Sequence, residues 1–209
     1  EDAGHGGWRA AERFQFDYKM LEKDLAAYPG DRRTLYYLGV ADLAYLERRG
    51  AEGRPLGPPE AADRAARGVA YLEASLGPEA WTNPQATAQA KAEGEGAGGQ
   101  FAWLSARFLA NAHWQFQNNT EKALKTYQLC IDMEPNLPDC YISKAQILFW
   151  EKKLVEAWEA VQGALQTAPE NLQRRSFVHH TFHECMVPLV GAKVLWQLGF
   201  SGGFPGGKE

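Results

Sequence analysis

Long apolar runs are missing from this 209-residue chain. None approaches the ~20 residues that a helix needs to cross a bilayer, so no membrane span is expected. Charge of one sign is scarce as well: 22 Lys and Arg stand against 26 Asp and Glu, a formal net charge of -4. That balance excludes a dominant basic surface for nucleic acid or for an anionic membrane. Cysteine is sparse, with Cys130, Cys140 and Cys185 alone. An odd set without a CxxC spacing reads as neither a disulfide framework nor a zinc site. Cys130 and Cys140 are therefore expected to be small packed core residues. A P-loop and a DxD pair are absent. The Gly-rich run from Gly94 to Gly99 has no strand before it and no Lys-Ser/Thr after it, so it reads as a linker and not a phosphate cradle. The chain opens at Glu1-Asp2 without a Met, as a fragment or a processed form would, which leaves its compartment open.

What the chain does have is helical periodicity, punctuated at regular intervals. Residues 1–12 are Gly-rich and read as a flexible lead-in. Arg13 to Tyr28 carries Phe14, Tyr18, Leu21 and Leu25 at helical spacing, and Pro29-Gly30 stops it. Asp31 is placed to cap a second helix over Arg32 to Arg49. In that helix Leu35, Leu38 and the small Gly39 invite close approach of a partner helix. A polar Gly/Pro insertion at 50–57 follows, then a helix from Pro59 to Leu76 in which Ala66 and Ala70 are expected to supply close packing. Residues 81–99 have few large apolar groups and read as a surface insertion. Four helices then form two pairs: Phe101 to Phe116 with Thr120 to Met133, and Pro138 to Glu151 with Leu154 to Thr167. Asn118-Asn119 and Lys152-Lys153 make the turns within the pairs. Pro135 and Pro169 close them, and Asn136 is the expected cap before Pro138. Phe177 to Leu198 reads as a last long helix, kinked near Pro188, with a flexible Gly-rich tail over 201–209.

The two pairs superimpose at a spacing of 34 residues. Ala123, Tyr127, Cys130 and Pro135 recur as Ala157, Val161, Ala164 and Pro169, and Trp114 recurs as Leu148. This pattern resembles the tetratricopeptide repeat, a helix–turn–helix unit that buries its apolar face only by stacking on neighbours. The resemblance implies an all-α, right-handed superhelical solenoid over 13–200, with about three repeats and a terminal helix. In that register the first helices line a concave groove. It would present Tyr36, Val40, Phe108, Ala112, Gln115 and Phe116, then Ile142, Gln146, Phe149 and Trp150. Large aromatics such as these dominate binding hot spots. The implied partner is a protein segment or a subunit of a larger assembly. The repeats that grip chaperone carboxylates present Lys and Asn where this chain has Phe108, Leu109, Ile142 and Ser143, so a chaperone-adaptor role is not expected.

A narrower likeness covers most of Arg13 to Phe200. Leu21-Glu22-Lys23-Asp24-Leu25, Pro29, Asp31, Arg33 and Tyr36-Tyr37-Leu38 resemble the helical region that follows the catalytic domain of family-2-like glycosyltransferases carrying these repeats. The closing stretch, Ser176-Phe177-Val178 and Trp196-Gln197-Leu198-Gly199, is similar to that family's last segment. The resemblance implies an accessory helical region, with no catalytic residue of its own. The insertions at 50–57 and 81–99 depart from the family pattern.

Candidate chemistry is thin. In His179-His180-Thr181-Phe182-His183-Glu184-Cys185, His179 and His183 sit four apart and can share a helix face, as metal ligands do. The order differs from HExxH, and no third ligand is evident, so packing around Phe182, Cys185 and Met186 is the plainer reading. His5 and His113 are weaker metal candidates still. Nothing stands out for acid–base or nucleophilic work, and no cofactor is implied. Asn118-Asn119-Thr120 fits the N-glycosylation acceptor pattern in an expected exposed turn.

Overall fold

The computed structural model describes residues 5–84, 98–167 and 186–199. Among the described residues the chain is all-α, with no strand. Its helices are α1 (His5–Ala27), α2 (Arg32–Ala51), α3 (Pro58–Leu76), a short α4 (Glu79–Thr82), α5 (Gly98–Gln115), α6 (Thr120–Met133), α7 (Pro138–Trp150), α8 (Leu154–Leu165) and α9 (Val187–Gln197). The chain divides into two compact units, Glu1–Asn119 and Thr120–Glu209. The division falls inside the first of the two expected helix pairs, between α5 and α6. The expected lead-in over 1–12 is helical from His5 onward. The tail at 201–209 lies outside the described residues.

In the first unit, Asp31 caps α2 from an extended backbone, its carboxylate accepting from the Thr34 amide at 2.9 Å. The Thr34 hydroxyl also donates to it, and this bond above all holds the Asp31 carboxyl below its ordinary value of 3.8. The helices α2 and α3 then cross at glycines. A Cβ on Gly39 would stand 2.7 Å from Leu72 Cγ and 3.0 Å from the Gly68 carbonyl oxygen. One on Gly68 would meet Leu43 Cγ at 3.1 Å. The small residue expected at 39 therefore does its job, but its counterpart on α3 is different. Ala66 and Ala70 are exposed, while Ala65, Gly68, Val69 and Leu72 are buried. The buried face of α3 follows Ala65, Val69, Leu72 and Leu76, and from its edge Arg64 and Arg67 reach a carboxylate on α2. Gly77, at φ 77°, ends α3 in a backbone conformation that L side chains rarely adopt.

That carboxylate is Asp42, which has no exposed surface. Arg67 grips it with two bonds, Nε to Oδ2 at 2.8 Å and an Nη to Oδ1 at 2.9 Å. Arg64 donates to Oδ1 at 2.8 Å, and the Tyr18 hydroxyl to Oδ2 at 3.0 Å. One buried acid thus ties α1, α2 and α3 together. The rings of Tyr45 and Tyr18 lie against the guanidiniums of Arg64 and Arg67, at 4.4 and 5.9 Å. Burial, with Asp42 beside it, raises the Tyr18 phenol well above its usual range. Phe14 stacks on Tyr45 at 5.5 Å and extends the α1–α2 contact. Farther along, Ser105 Oγ donates to Ser75 Oγ, which donates to the Arg32 carbonyl. These bonds link α5, α3 and α2.

The second unit packs α7, α8 and α9 around Ile142, Ala145, Leu148, Ala157, Val161, Val187, Val190 and Val194. Its glycines again mark close approach. A Cβ on Gly163 would stand 2.5 Å from the Tyr141 ring, and one on Gly191 would stand 3.2 Å from Val161 Cγ1. Of the residues that recur in sequence, Ala123, Tyr127, Cys130, Leu148, Ala157, Val161 and Ala164 are buried, Trp114 is half-buried and Pro135 is exposed. Leu137 is the N-cap of α7, in place of the expected Asn136, with Pro138 in the first turn and no side-chain cap. Pro188 occupies the first turn of α9. The rest of the expected last helix, 177–185, lies outside the described residues.

The cysteines differ from expectation. Cys130 at the end of α6 and Cys140 at the start of α7 are both buried, but they are joined as a disulfide across a sequence separation of 10. The short connection through Pro135 to Leu137 folds the two helix ends back on each other and brings their Cα atoms to 6.3 Å, within bridging range. Spacing alone does not report that approach.

Candidate functional site

The second unit carries an apolar cleft of about 710 Å³ between α7 and α9. Gln146, Phe149 and Trp150 form one wall, and Met186, Leu189, Val190, Ala192, Lys193, Trp196 and Gln197 form the other. Helix geometry explains why these side chains are free to line it. On α7 the core takes Ile142, Ala145 and Leu148; Phe149 packs half-buried against that core and Trp150 is exposed. On α9 the core takes Val187, Val190, Gly191, Val194 and Leu195. That leaves Leu189 and Trp196 on the outward face, seven residues apart in line. Trp150 is 63% exposed and Trp196 76%, with Leu189 at 48%. Single exposed apolar residues need no explanation, but several lining one concavity do.

The cleft's polar groups are few. Gln146 and Gln197 contribute side-chain amides, and Lys193 an exposed ammonium. Phe149 packs edge-on to Trp150 at 5.8 Å, with the Lys152 ammonium 5.7 Å from the Phe149 ring. Among the described residues no carboxylate lines the cleft. Its chemistry is that of an apolar slot with cationic groups at hand.

The sequence-expected groove residues separate into three groups. Gln146, Phe149 and Trp150 come together in the cleft. Ile142 is wholly buried in the core of the second unit and offers no binding surface. Its position on α7 faces α8 and α9, because the helix is covered on that side. In the first unit Tyr36 is buried within an aromatic cluster, its ring 5.3 Å from Phe101 and 5.9 Å from Phe108. Burial pushes its phenol up to about 12. Ala112 is buried, Val40, Phe108 and Phe116 are half-buried, and Gln115 is exposed. The α9 wall went unread in the sequence, although a signal was there. Val187-Pro-Leu-Val-Gly-Ala-Lys-Val-Leu-Trp has large apolar residues on two faces, one more than a single core needs.

A second, more polar groove of about 470 Å³ runs beside Tyr141, Lys144, Lys153, Glu156 and Glu159. Lys144 Nζ donates to Gln128 Oε1 at 2.7 Å there. Burial, and then Asp132, raises the Tyr141 phenol. The ordinary helix-surface pairing in this groove gives no sign of a reacting centre.

No group of three or more His, Cys, Asp or Glu that could hold a metal occurs among the described residues. His179, His183 and their neighbours lie outside those residues. His113 is buried, with Nδ1 2.7 Å from Gln117 Oε1. No described helix is long and apolar enough to cross a membrane. Comparison with protein-family models finds no match, and comparison with curated proteins finds none either.

Proposed function

We propose that the chain is a non-catalytic scaffold of about three tetratricopeptide-like repeats, and that its α7–α9 cleft docks an apolar segment of a protein partner. The observation that carries the docking reading is the pair of exposed tryptophans, Trp150 and Trp196, on opposite walls of one cleft. Such rings bury large area at small conformational cost when a partner side chain enters between them. Lys193 selects a segment with a carboxylate beside its apolar anchor. The repeat reading is supported by the backbone. Asn118 and Lys152, equivalent in the 34-residue register, both adopt left-handed φ, at 49° and 62°. Non-glycine residues enter that region infrequently, so two of them in register favour a common helix–turn–helix unit.

The test is a panel of labelled amphipathic peptides with Leu or Phe at i and i+4 and one flanking Glu, titrated against the protein by fluorescence anisotropy. Binding that weakens about tenfold or more with Trp150→Ala or Trp196→Ala supports the reading. A weaker effect is expected from Lys193→Glu. The reading fails if no peptide binds, or if bound peptides ignore both tryptophans.

A further inference from the structure

Two features that the docking cleft does not use point to one compartment. The first is the triplet Asn118-Asn119-Thr120, an acceptor sequence for N-linked glycan. Asn118 is exposed, in the turn that leaves α5. Its left-handed backbone is one that Asn adopts more readily than other non-glycine residues. Thr120 Oγ1 makes only an exposed 3.2 Å bond to Glu151, which a glycan nearby does not require to be kept. The second feature is the Cys130–Cys140 disulfide. Structural disulfides persist in secretory and extracellular settings and are rare in reducing ones. The two observations are independent, since one is a sequence triplet and the other a pairing of sulfurs. Glycan transfer to the triplet takes place in a secretory lumen, and such a lumen also lets the disulfide persist.

We infer that Asn118 carries an N-linked glycan, added in the oxidising secretory lumen that also closes Cys130–Cys140. In the transfer step the Asn118 amide nitrogen attacks the anomeric carbon of a lipid-diphosphate-linked oligosaccharide. A C–N bond forms, the bond from that carbon to the diphosphate oxygen breaks, the lipid diphosphate leaves, and the nitrogen's proton passes to a base of the transferase. In the oxidation step Cys130 and Cys140 give up two protons and two electrons. The disulfide of a thiol–disulfide oxidoreductase accepts them and becomes a dithiol. Transfer to the nascent chain needs the triplet extended, and the folded protein then needs only room at Asn118. An exposed turn supplies that room, whereas a glycan on a buried residue would block folding.

The experiment is peptide mapping of the native protein, recovered by antibody from the cells that make it. One aliquot is treated with a peptide N-glycosidase in heavy-oxygen water. Trypsin releases 108–122, which contains Asn118, and 126–144, which contains both cysteines. The expected result is conversion of Asn118 to an aspartate bearing heavy oxygen only after enzyme treatment. The second peptide should be lighter by two hydrogens and take up iodoacetamide only after reduction. In the same cells Asn118→Gln and Thr120→Ala lose the glycan, and Thr120→Ser keeps it. An unmodified Asn118 overturns the proposal whatever the state of the cysteines. A glycosylated Asn118 with both thiols free overturns the shared-lumen argument.

Discussion

Replacing the partners of Asp42 should be far more damaging than replacing Asp42 itself. Four hydrogen bonds converge on this carboxylate, and it has no exposed surface. Its two arginines differ from it in that Arg64 is 22% exposed and Arg67 39%. If the acid is removed, both guanidiniums can turn to water. If the arginines are removed, the acid cannot. Stranding one member of a buried ion pair costs about 3–5 kcal/mol, and most of that is the uncompensated charge. We therefore expect Arg64→Met with Arg67→Met to lose about 3–5 kcal/mol. Asp42→Asn alone should lose about 1–3 kcal/mol, the range for a few solvent-competing hydrogen bonds. The decisive arm is the triple variant. Adding Asp42→Asn to the double arginine variant removes the stranded charge and should recover about 1–3 kcal/mol, so the same substitution changes sign with its background. Urea unfolding followed by circular dichroism reads the size of each effect. Hydrogen exchange of α2 and α3 amides assigns it to the first unit, since a chain of two units need not melt in one step. If Asp42→Asn destabilises both backgrounds equally, the clamp is not electrostatically coupled and the argument is wrong.

Gly39→Ala should destabilise by about 1–2 kcal/mol net, because contacts at 2.7 Å to Leu72 and 3.0 Å to a carbonyl outweigh alanine's better helix propensity. Gly50→Ala, with nothing within 4 Å of the new methyl, should leave stability unchanged or raise it; thermal melts of the two separate packing from propensity. Asp31→Ala should lose about 1 kcal/mol at neutral pH. Because folding lowers the Asp31 carboxyl from 3.8, its contribution is full above that value and fades as pH falls through the lower folded one. The wild-type and Asp31→Ala stabilities should therefore converge in acid, and a constant gap from pH 7 downward would contradict the cap. Cys130→Ala with Cys140→Ala should lower the stability of the second unit by about 2.5–3 kcal/mol, the chain-entropy value for a loop of this length. An unfolding midpoint that ignores both the double variant and added reductant would show that the link does not constrain the chain.

What could be read in advance depended on how far each signal reached along the chain. The cap at Asp31 and the stop at Gly77 rest on bonds within four residues, and both are present where the sequence placed them. The α2–α3 crossing was half legible. Gly39 is the lone glycine among large residues in its stretch, so its role stood out. On α3, Ala61, Ala62, Ala65, Ala66, Gly68 and Ala70 put small residues on every face, and it is the spacing of Val69, Leu72 and Leu76 that marks the buried one. Asp42 joins Arg64 and Arg67 at the edge of that face, a long-range contact that spacing does not report. The disulfide was hidden for the same reason, since two helix ends must meet before their cysteines can. Ile142 was assigned to a groove because its register position matched, yet register says nothing about which neighbours cover a helix.

The cleft exists because α9 is asked to satisfy one core and has apolar residues for more. Val187, Val190 and Val194 suffice to close the second unit over α7 and α8. Gly191 lets α9 settle close against Val161 and Trp158, since any larger residue would begin from a 3.2 Å contact. With that contact made, Leu189 and Trp196 stay on the outward face, 48% and 76% exposed. Leaving a tryptophan 76% exposed on a helix whose other face is already buried gives up burial that a polar residue would not forgo. The facing wall repeats the pattern, for Trp150 at the end of α7 is 63% exposed and packs edge-on to Phe149. A fold optimised only for its own stability would place Lys or Glu at both positions. Two helices each turn an exposed tryptophan to the same cleft, and the proposed docking rests on that pair.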